Sequence, residues 1–396
     1  MTIPTNFFDN LEFVHPKDIV DIFSANDRPS PGFRWIFKNE LRPIDLYCYF
    51  GSRFGQPNGI QNFLRGDHSD NLIHWEWFLR TDGGFLTIQG MNFRTEIWIS
   101  GNGIVADDIE NFTTLMKQQF ASAGPAMKQV RKSLEHWVEF VNPYQRLRRS
   151  VSQLMEDISS LGLSTEQDSM PDFAEQSEHG DYSDRWQALA QKYTRATGMC
   201  FGVRSMLPVM GEAFVNLLLY ILMRKEIRQD TRLRENAIRQ PIDIRIRSLS
   251  INCTGFKQQV DYSSEACKKF HSLINNRNDL LHGNVVIEKL RFNELHFFGK
   301  VPVFIEYSSM WERTLGVAHR AAGLALVTAE LSVVDDLITY ILSCLDEKTR
   351  QQVEFMSKKF DLGICQDNGR LGVLFGDVLH DFSMQADPSD KSASAK

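Results

Sequence analysis

Asn276-Arg277-Asn278-Asp279-Leu280-Leu281-His282-Gly283-Asn284 closes a segment whose apolar residues recur at helical spacing. Ala266, Phe270, Leu273, Ile274 and Leu281 supply one apolar face, which predicts a helix from about Ser263 to His282. Gly283 is the residue expected just past a helix end, because it accepts a left-handed backbone without a Cβ clash. Asn278 and His282 are four apart and share a face, with Arg277 flanking it. Such a helix needs neighbours, and the apolar segments Val209–Met223 and Trp311–Leu345 offer them. The downstream half therefore reads as a helical bundle. Val285 to Tyr307 interrupts it as a strand-rich insertion, with turns at Asn293-Glu294 and Gly299-Lys300.

The upstream half has a different texture. Pro16 to Phe23 reads as a helix. Aromatic and β-branched runs follow, giving strands at Ile44–Phe50, Ile73–Leu79, Phe85–Gln89 and Phe93–Ile99, with a hairpin turn at Asp82-Gly83-Gly84. The aromatics in these runs, among them Trp35, Trp75, Trp77 and Trp98, read as the core of a small sheet; a base-stacking platform is the functional alternative. From Ala106 the pattern turns helical. One helix runs toward Phe120, a second carries Met127, Val130, Leu134, Trp137 and Val141, and a third starts at Asn142-Pro143. Leu147, Val151, Leu154, Ile158 and Leu161 repeat along the third as a packed face.

The predicted fold class is thus α+β: a small, mostly antiparallel N-terminal sheet with helices, then an all-helical bundle with a strand-rich insertion. The expected divisions are an α+β module at 1–104, a helical extension at 105–162, an acidic linker at 163–184, the helical domain at 185–350, and a hairpin with a disordered tail at 351–396. A chain of 396 residues exceeds the usual single domain.

The net charge of -6 excludes a uniformly basic coat for nucleic acid, though not a local basic groove. From Arg224 to Arg247 the chain holds eight basic and four acidic side chains, the one long basic stretch. Arg224, Arg228, Arg232 and Arg234 are its candidate RNA-phosphate ligands, against a plain solvated helix face. The six cysteines (Cys48, Cys200, Cys253, Cys267, Cys344, Cys365) are scattered without a C-x-x-C pair, which fits reduced thiols in a cytoplasmic protein. The N-terminus lacks a basic region followed by an apolar one, so no signal peptide is expected. Val209–Met223, interrupted by Glu212 and Asn216, reads as a buried helix too short to cross a membrane, with Glu212 a satisfied core polar group. No His, Asp or Glu cluster has metal-ligand spacing, and no Gly-rich phosphate loop occurs, so neither metal nor cofactor is expected.

His282 at a helix C-terminus can act as a proton donor near neutral pH, since the helix dipole favours its charged form. Arg277 can neutralise charge on a phosphate, and Asn278 can orient either group. Together they suit RNA cleavage by transesterification, in which the neighbouring 2′-OH attacks the phosphodiester and the protein moves protons and neutralises charge. One histidine per chain falls short of a base and an acid; a two-fold dimer would supply both. Arg followed five positions later by His is weak on its own, because Arg131/His136 and Arg291/His296 share it. Only the middle pair has the adjacent Asn, the following Gly and a helical frame. The plain alternative is a helix end in which Arg277 makes an ion pair and His282 caps carbonyls.

Arg277-Asn278-Asp279-Leu280-Leu281-His282-Gly283 resembles the R-N-x-x-x-H signature of HEPN domains, the helical bundles of many prokaryotic ribonucleases. The resemblance covers residues 186–346, with the motif its only specific part, and the strand-rich insertion departs from a compact bundle. It implies a metal-independent endoribonuclease acting on RNA, a homodimer formed through the motif helices, and a place in toxin, CRISPR-associated or antiviral defence systems. It puts Arg277 and His282 at the catalytic positions and Asn278 in support. The N-terminal module would then sense or regulate, through a regulatory protein or a phage-derived trigger. Alternatives are a non-catalytic HEPN-like module for nucleotide binding, protein binding or dimerisation, and a target that a partner nucleotidyltransferase modifies near the motif.

Overall fold

The structure, a computed structural model, describes residues 3–24, 32–66, 71–101, 103–164, 168, 179–284, 287, 291, 294–305, 323–367, 369 and 371–374. The protein is mixed α and β, with an antiparallel sheet in its N-terminal part and helices through its C-terminal half. It divides into two compact units, Met1–Glu139 together with the chain from Gly363 onward, and Phe140–Leu362.

The first unit runs through β1 (Glu12–Phe13), α1 (Pro16–Ser24), β2 (Phe33–Phe37), α2 (Pro43–Phe54), α3 (Gln61–Leu64), β3 (Trp75–Thr81), β4 (Gly84–Gly90), β5 (Thr95–Ser100), α4 (Ile109–Ser122) and α5 (Gly124–Ser133). Its five strands pair antiparallel in the order β1-β3-β4-β5-β2. Alternation sends Trp35, Trp77, Leu86, Ile88 and Ile97 to one face, where they pack with Phe50 of α2, Phe112 of α4 and Met127 of α5. Most of the aromatics are therefore core. The expected strand at Ile44–Phe50 is helix α2 instead. Pro43 presets its first turn, and Leu46, Tyr49 and Phe50 at three- and four-residue spacing bury one face. The β3–β4 turn at Asp82-Gly83 forms as expected, yet neither Gly83 nor Gly84 has positive φ. Gly84 is needed for close approach, since a Cβ there would lie 1.7 Å from the Ser100 carbonyl oxygen.

Glu76 on β3 is 6% exposed, and burial raises its carboxyl above the usual range, against hydrogen bonds from Gln89 and from the Gln61 and Ile60 amides. A raised carboxyl stabilises the fold fully below the ordinary carboxyl value and loses that contribution as pH rises through its folded value. Glu76→Gln is therefore expected to raise the melting temperature at neutral pH and to flatten its decline between mildly acidic and neutral pH. Thermal melts across that range check it.

The expected second helix of the extension stops at Ser133, and Trp137–Val141 is strand β6. The extension at 105–162 is consequently not a unit of its own. α4 and α5 complete the core of the sheet, and α6 (Pro143–Ser160) belongs to the second unit.

In the second unit the chain forms α7 (His179–Leu222), α8 (Lys225–Gln229), α9 (Thr231–Arg239), α10 (Ile242–Arg247), α11 (Leu249–Asn252), α12 (Glu265–His282), the hairpin β7 (Leu295–Phe298) and β8 (Val301–Phe304), α13 (Leu324–Ser343) and α14 (Glu347–Ser357). Strands β9 (Asp361–Cys365) and β10 (Leu371–Val373) follow, in a sheet of order β10-β9-β6, and from Gly363 the chain is counted with the first unit. The 44-residue α7 is the axis. Tyr193, Ala196, Cys200, Val203, Leu207, Met210, Phe214 and Leu217 are all buried along it, an alternation of threes and fours that makes one continuous seam. α6, α12 and α13 pack against it. The expected heptad face of α6 is one of these contacts, with Tyr144 edge-on to Phe214 at 5.3 Å. Val209–Met223 thus covers only the last turns of a longer helix, whose earlier turns contain Gly198, Gly202 and Pro208, breakers by sequence. By length and composition Ser183–Leu222 could cross a membrane, and 61% of its most apolar window is buried inside the protein. Burial, not shortness, marks it as a core helix. Its first turns from His179 also overlap the range expected for the linker, most of which, like the C-terminal tail at 386–396, lies outside the described residues.

Candidate functional site

Helix α12 starts where Ser264 caps the Cys267 amide and ends at Gly283, whose φ of 62° is left-handed as expected. The amides of Gly283 and Asn284 both return to the Asp279 carbonyl, and the Asn284 side chain donates to the Asp279 carboxylate at 3.0 Å. The helix lies antiparallel on α7. Phe270 faces Gly211, where a Cβ would come within 2.5 Å of the ring, and one turn pair further on Arg277 shares a crevice with Arg204.

The buried stripe of α12 is Cys267, Phe270 and Leu273, and it continues through partly buried Arg277 and Leu280. Leu281, expected on the apolar face, is 45% exposed. Arg277 is therefore the inward member of the motif, whereas His282 is exposed. Five helical residues separate them by roughly 140° around the axis, with Asn278 about 40° from His282. Asn278 bridges the two faces, since its Oδ1 accepts from Arg277 Nη1 at 2.8 Å.

Arg277 lines a tight crevice with Leu273, Asn276 and Leu280 of its own helix, Arg204 of α7 and Glu330 of α13. Arg204 and Glu330 form a bidentate pair, with both contacts at 2.8 Å. Their side chains are 14% and 12% exposed, so this pair is shielded from solvent. Two guanidiniums and one carboxylate thus line one crevice, and the carboxylate is paired with Arg204. The Nε of Arg277 is buried without a hydrogen-bond acceptor. Pro208 cannot donate to the Arg204 carbonyl, which removes one rung of the α7 ladder beside the crevice. Gly323, left-handed at the start of α13, leaves room for the Arg204 guanidinium, which a Cβ would approach to 2.5 Å. Neither Arg204 nor Glu330 stood out in sequence. A single carboxylate within the otherwise uncharged stretch Leu324–Val334 was the available signal.

The motif and the basic stretch are not brought together. Arg204, level with Arg277, lies eighteen residues before the end of α7, roughly 27 Å along the axis at 1.5 Å per residue. Arg224 begins only past that end. Three of the four candidate phosphate ligands are engaged with main-chain carbonyls at helix ends: Arg224 with Ile251 at 2.7 Å, Arg228 with Tyr220 and Ile221 at 3.1 and 3.0 Å, and Arg234 with Arg228 at 3.4 Å. Helix C-termini attract cations for this purpose. Arg232 is exposed. Glu212 is the satisfied core group expected, accepting from Arg245 at 2.9 Å.

The look-alike pairs sit in other settings. Arg131 pairs with Asp45, and Arg291 with Glu294. His136 follows the end of α5, and His296 lies on β7.

All six cysteines are free and buried. Burial pushes the Cys253 thiol up to about 12 and raises Cys200 and Cys267 as well. Thiolate is the reactive form, so native protein should react slowly with a disulfide reagent at neutral pH and release all six thiols on denaturation. Rapid titration of Cys253 in the native protein would contradict this.

No family model, no curated protein and no solved structure matches the chain.

Proposed function

We propose that this protein is a HEPN-type endoribonuclease that cleaves RNA without a metal, through attack of the 2′-OH on the neighbouring phosphodiester. The observation that carries the reading is the state of Arg277 and His282. A purely architectural pair would be consumed by an ion pair and by capped carbonyls. Among the described residues Arg277 has no salt-bridge partner and His282 caps nothing, while Gly283 and Asn284 close the helix without it. An exposed imidazole is free to move a proton at the ribose or at the leaving oxygen. Arg277, tethered through Asn278, supplies positive charge behind it.

One chain presents one such histidine, so the active form is a two-fold pair with both motif helices at the shared face. Leu281 beside His282 is 45% exposed, and Phe297 and Phe298 on the following hairpin are 63% and 84% exposed, apolar surface that a second copy would cover. The cytoplasm is the expected compartment, and a defence or toxin role follows from the resemblance. The N-terminal unit would regulate the nuclease.

The crevice beside Arg277 has no room for a bound water, and this favours a second reading, a non-catalytic binding or dimerisation module. The experiment separating the two is cleavage of labelled RNA by the full chain in EDTA, beside Arg277→Ala and His282→Ala. The nuclease reading expects activity only in the wild type. The second expects no cleavage by any of the three and RNA or nucleotide binding that survives His282→Ala.

A further inference from the structure

The face of the five-stranded sheet turned away from its core carries a site of another kind. Strand registers set its residues in rows, with Glu76 beside Gln89 beside Glu96, and Phe78 beside Thr87 beside Trp98. α1 covers part of this face through Ile19, which packs with Val14 and Phe78. What remains is a cleft of about 570 Å³, within the range of roughly 300–1,000 Å³ usual for small-molecule sites.

The two carboxylates of the first row differ in kind. Glu96 is neutralised by Arg94 at 2.6 Å and Arg34 at 3.5 Å. Glu76 is almost fully buried and accepts from the Gln89 amide and from the Gln61 main chain at 3.2 Å, and no described cation lies within ion-pair distance. A carboxylate left in apolar surroundings without a cation is costly unless something completes its hydrogen bonding. Gly59 lies over it, where a Cβ would come within 2.1 Å of Glu76 Oε1, so the backbone is shaped around this group. The walls are flat: Phe78 and Phe85 stack at 5.0 Å between centroids, and Trp98 stands 41% exposed at the rim.

We propose that this cleft binds a planar heteroaromatic ring bearing N–H donors at its edge, of the purine-base kind, with Glu76 accepting from them, Gln89 orienting the carboxylate, and Phe85 and Trp98 covering the ring. An aliphatic ligand would leave Glu76 uncompensated, and an anion would be repelled by it. A small ammonium would satisfy Glu76 but leave the flat walls unmatched. Binding here does not depend on the ribonuclease reading, because its readout is occupancy and not RNA cleavage.

The test is calorimetry on the full chain with guanosine and adenosine, using ribose and butylammonium as control probes. Saturable binding of a purine nucleoside is expected, weakened about tenfold or more by Glu76→Gln, since a site built around a charged hydrogen bond discriminates strongly. Trp98→Ala, at a half-exposed position, should weaken the same probe with the fold intact by circular dichroism. Three results would overturn the proposal: no saturation by either nucleoside up to millimolar concentration, butylammonium binding as tightly as the nucleosides, or unchanged affinity in Glu76→Gln and Trp98→Ala.

Discussion

Replacing His282 by alanine is expected to lower RNA cleavage by about a hundredfold or more, the usual range for loss of a general acid or base. The histidine is exposed at the end of α12, and Gly283 closes the helix independently, so melting should barely change. Arg277→Ala is expected to cost about as much, because the developing phosphate charge loses its guanidinium. Arg277 is partly buried and lines the Arg204–Glu330 crevice, so this variant can also lose stability. Arg277→Lys separates the two effects: it keeps a charge and a long side chain but cannot present the guanidinium fork. It should restore melting more than cleavage. Arg131→Ala and His136→Ala serve as controls, since that pair carries the same spacing and Arg131 is committed to Asp45. Cleavage in those two variants should equal wild type. Equal cleavage by His282→Ala and wild type would remove the histidine from the chemistry.

The second large effect is structural. Asn142→Ala is expected to destabilise the protein by about 2–4 kcal/mol, a helix cap plus buried carbonyls left unpaired. Asn142 is fully buried. Its Oδ1 accepts from the amides of Tyr144 and Gln145 and starts α6, at 3.1 and 3.2 Å. Its Nδ2 donates to the carbonyls of Met356, Ser357 and Lys359, at 3.3, 3.2 and 3.0 Å, at the end of α14. One side chain thus joins the start of one helix to the end of another. Asn142→Asp should be no better than alanine, because it keeps the cap and turns a carboxylate toward three carbonyl oxygens. Urea unfolding measures both, and a loss below about 1 kcal/mol in both would show that water replaces the amide at little cost.

What the sequence disclosed follows from how local each feature is. The end of α12 was legible because a cap, an apolar stripe and Gly283 all lie within one segment, and each has a local cause. The β3–β4 hairpin was legible for the same reason. Ile44–Phe50 misled because aromatic residues suit strands and helices alike, and only packing against the sheet decides between them. The earlier turns of α7 were hidden because Gly198, Gly202 and Pro208 look like breakers, yet they are tolerated inside a helix whose seam is buried. The crevice partners Arg204 and Glu330 lie 126 positions apart, and nothing local announces such a pair. The inward turn of Arg277 also depends on which face of α12 meets α7, a question that spacing alone leaves open. The basic stretch shows the opposite case. Its arginines were visible in number, but their carbonyl partners were not.

The most direct measurement of the central claim is the chemistry of the cut ends. RNA incubated with the full chain in EDTA is expected to yield 2′,3′-cyclic phosphate and 5′-hydroxyl ends, with no cut at a 2′-deoxy position, because the 2′-OH is the nucleophile. Cleavage that leaves 3′-hydroxyl and 5′-phosphate ends, or that proceeds at the 2′-deoxy position, would contradict it.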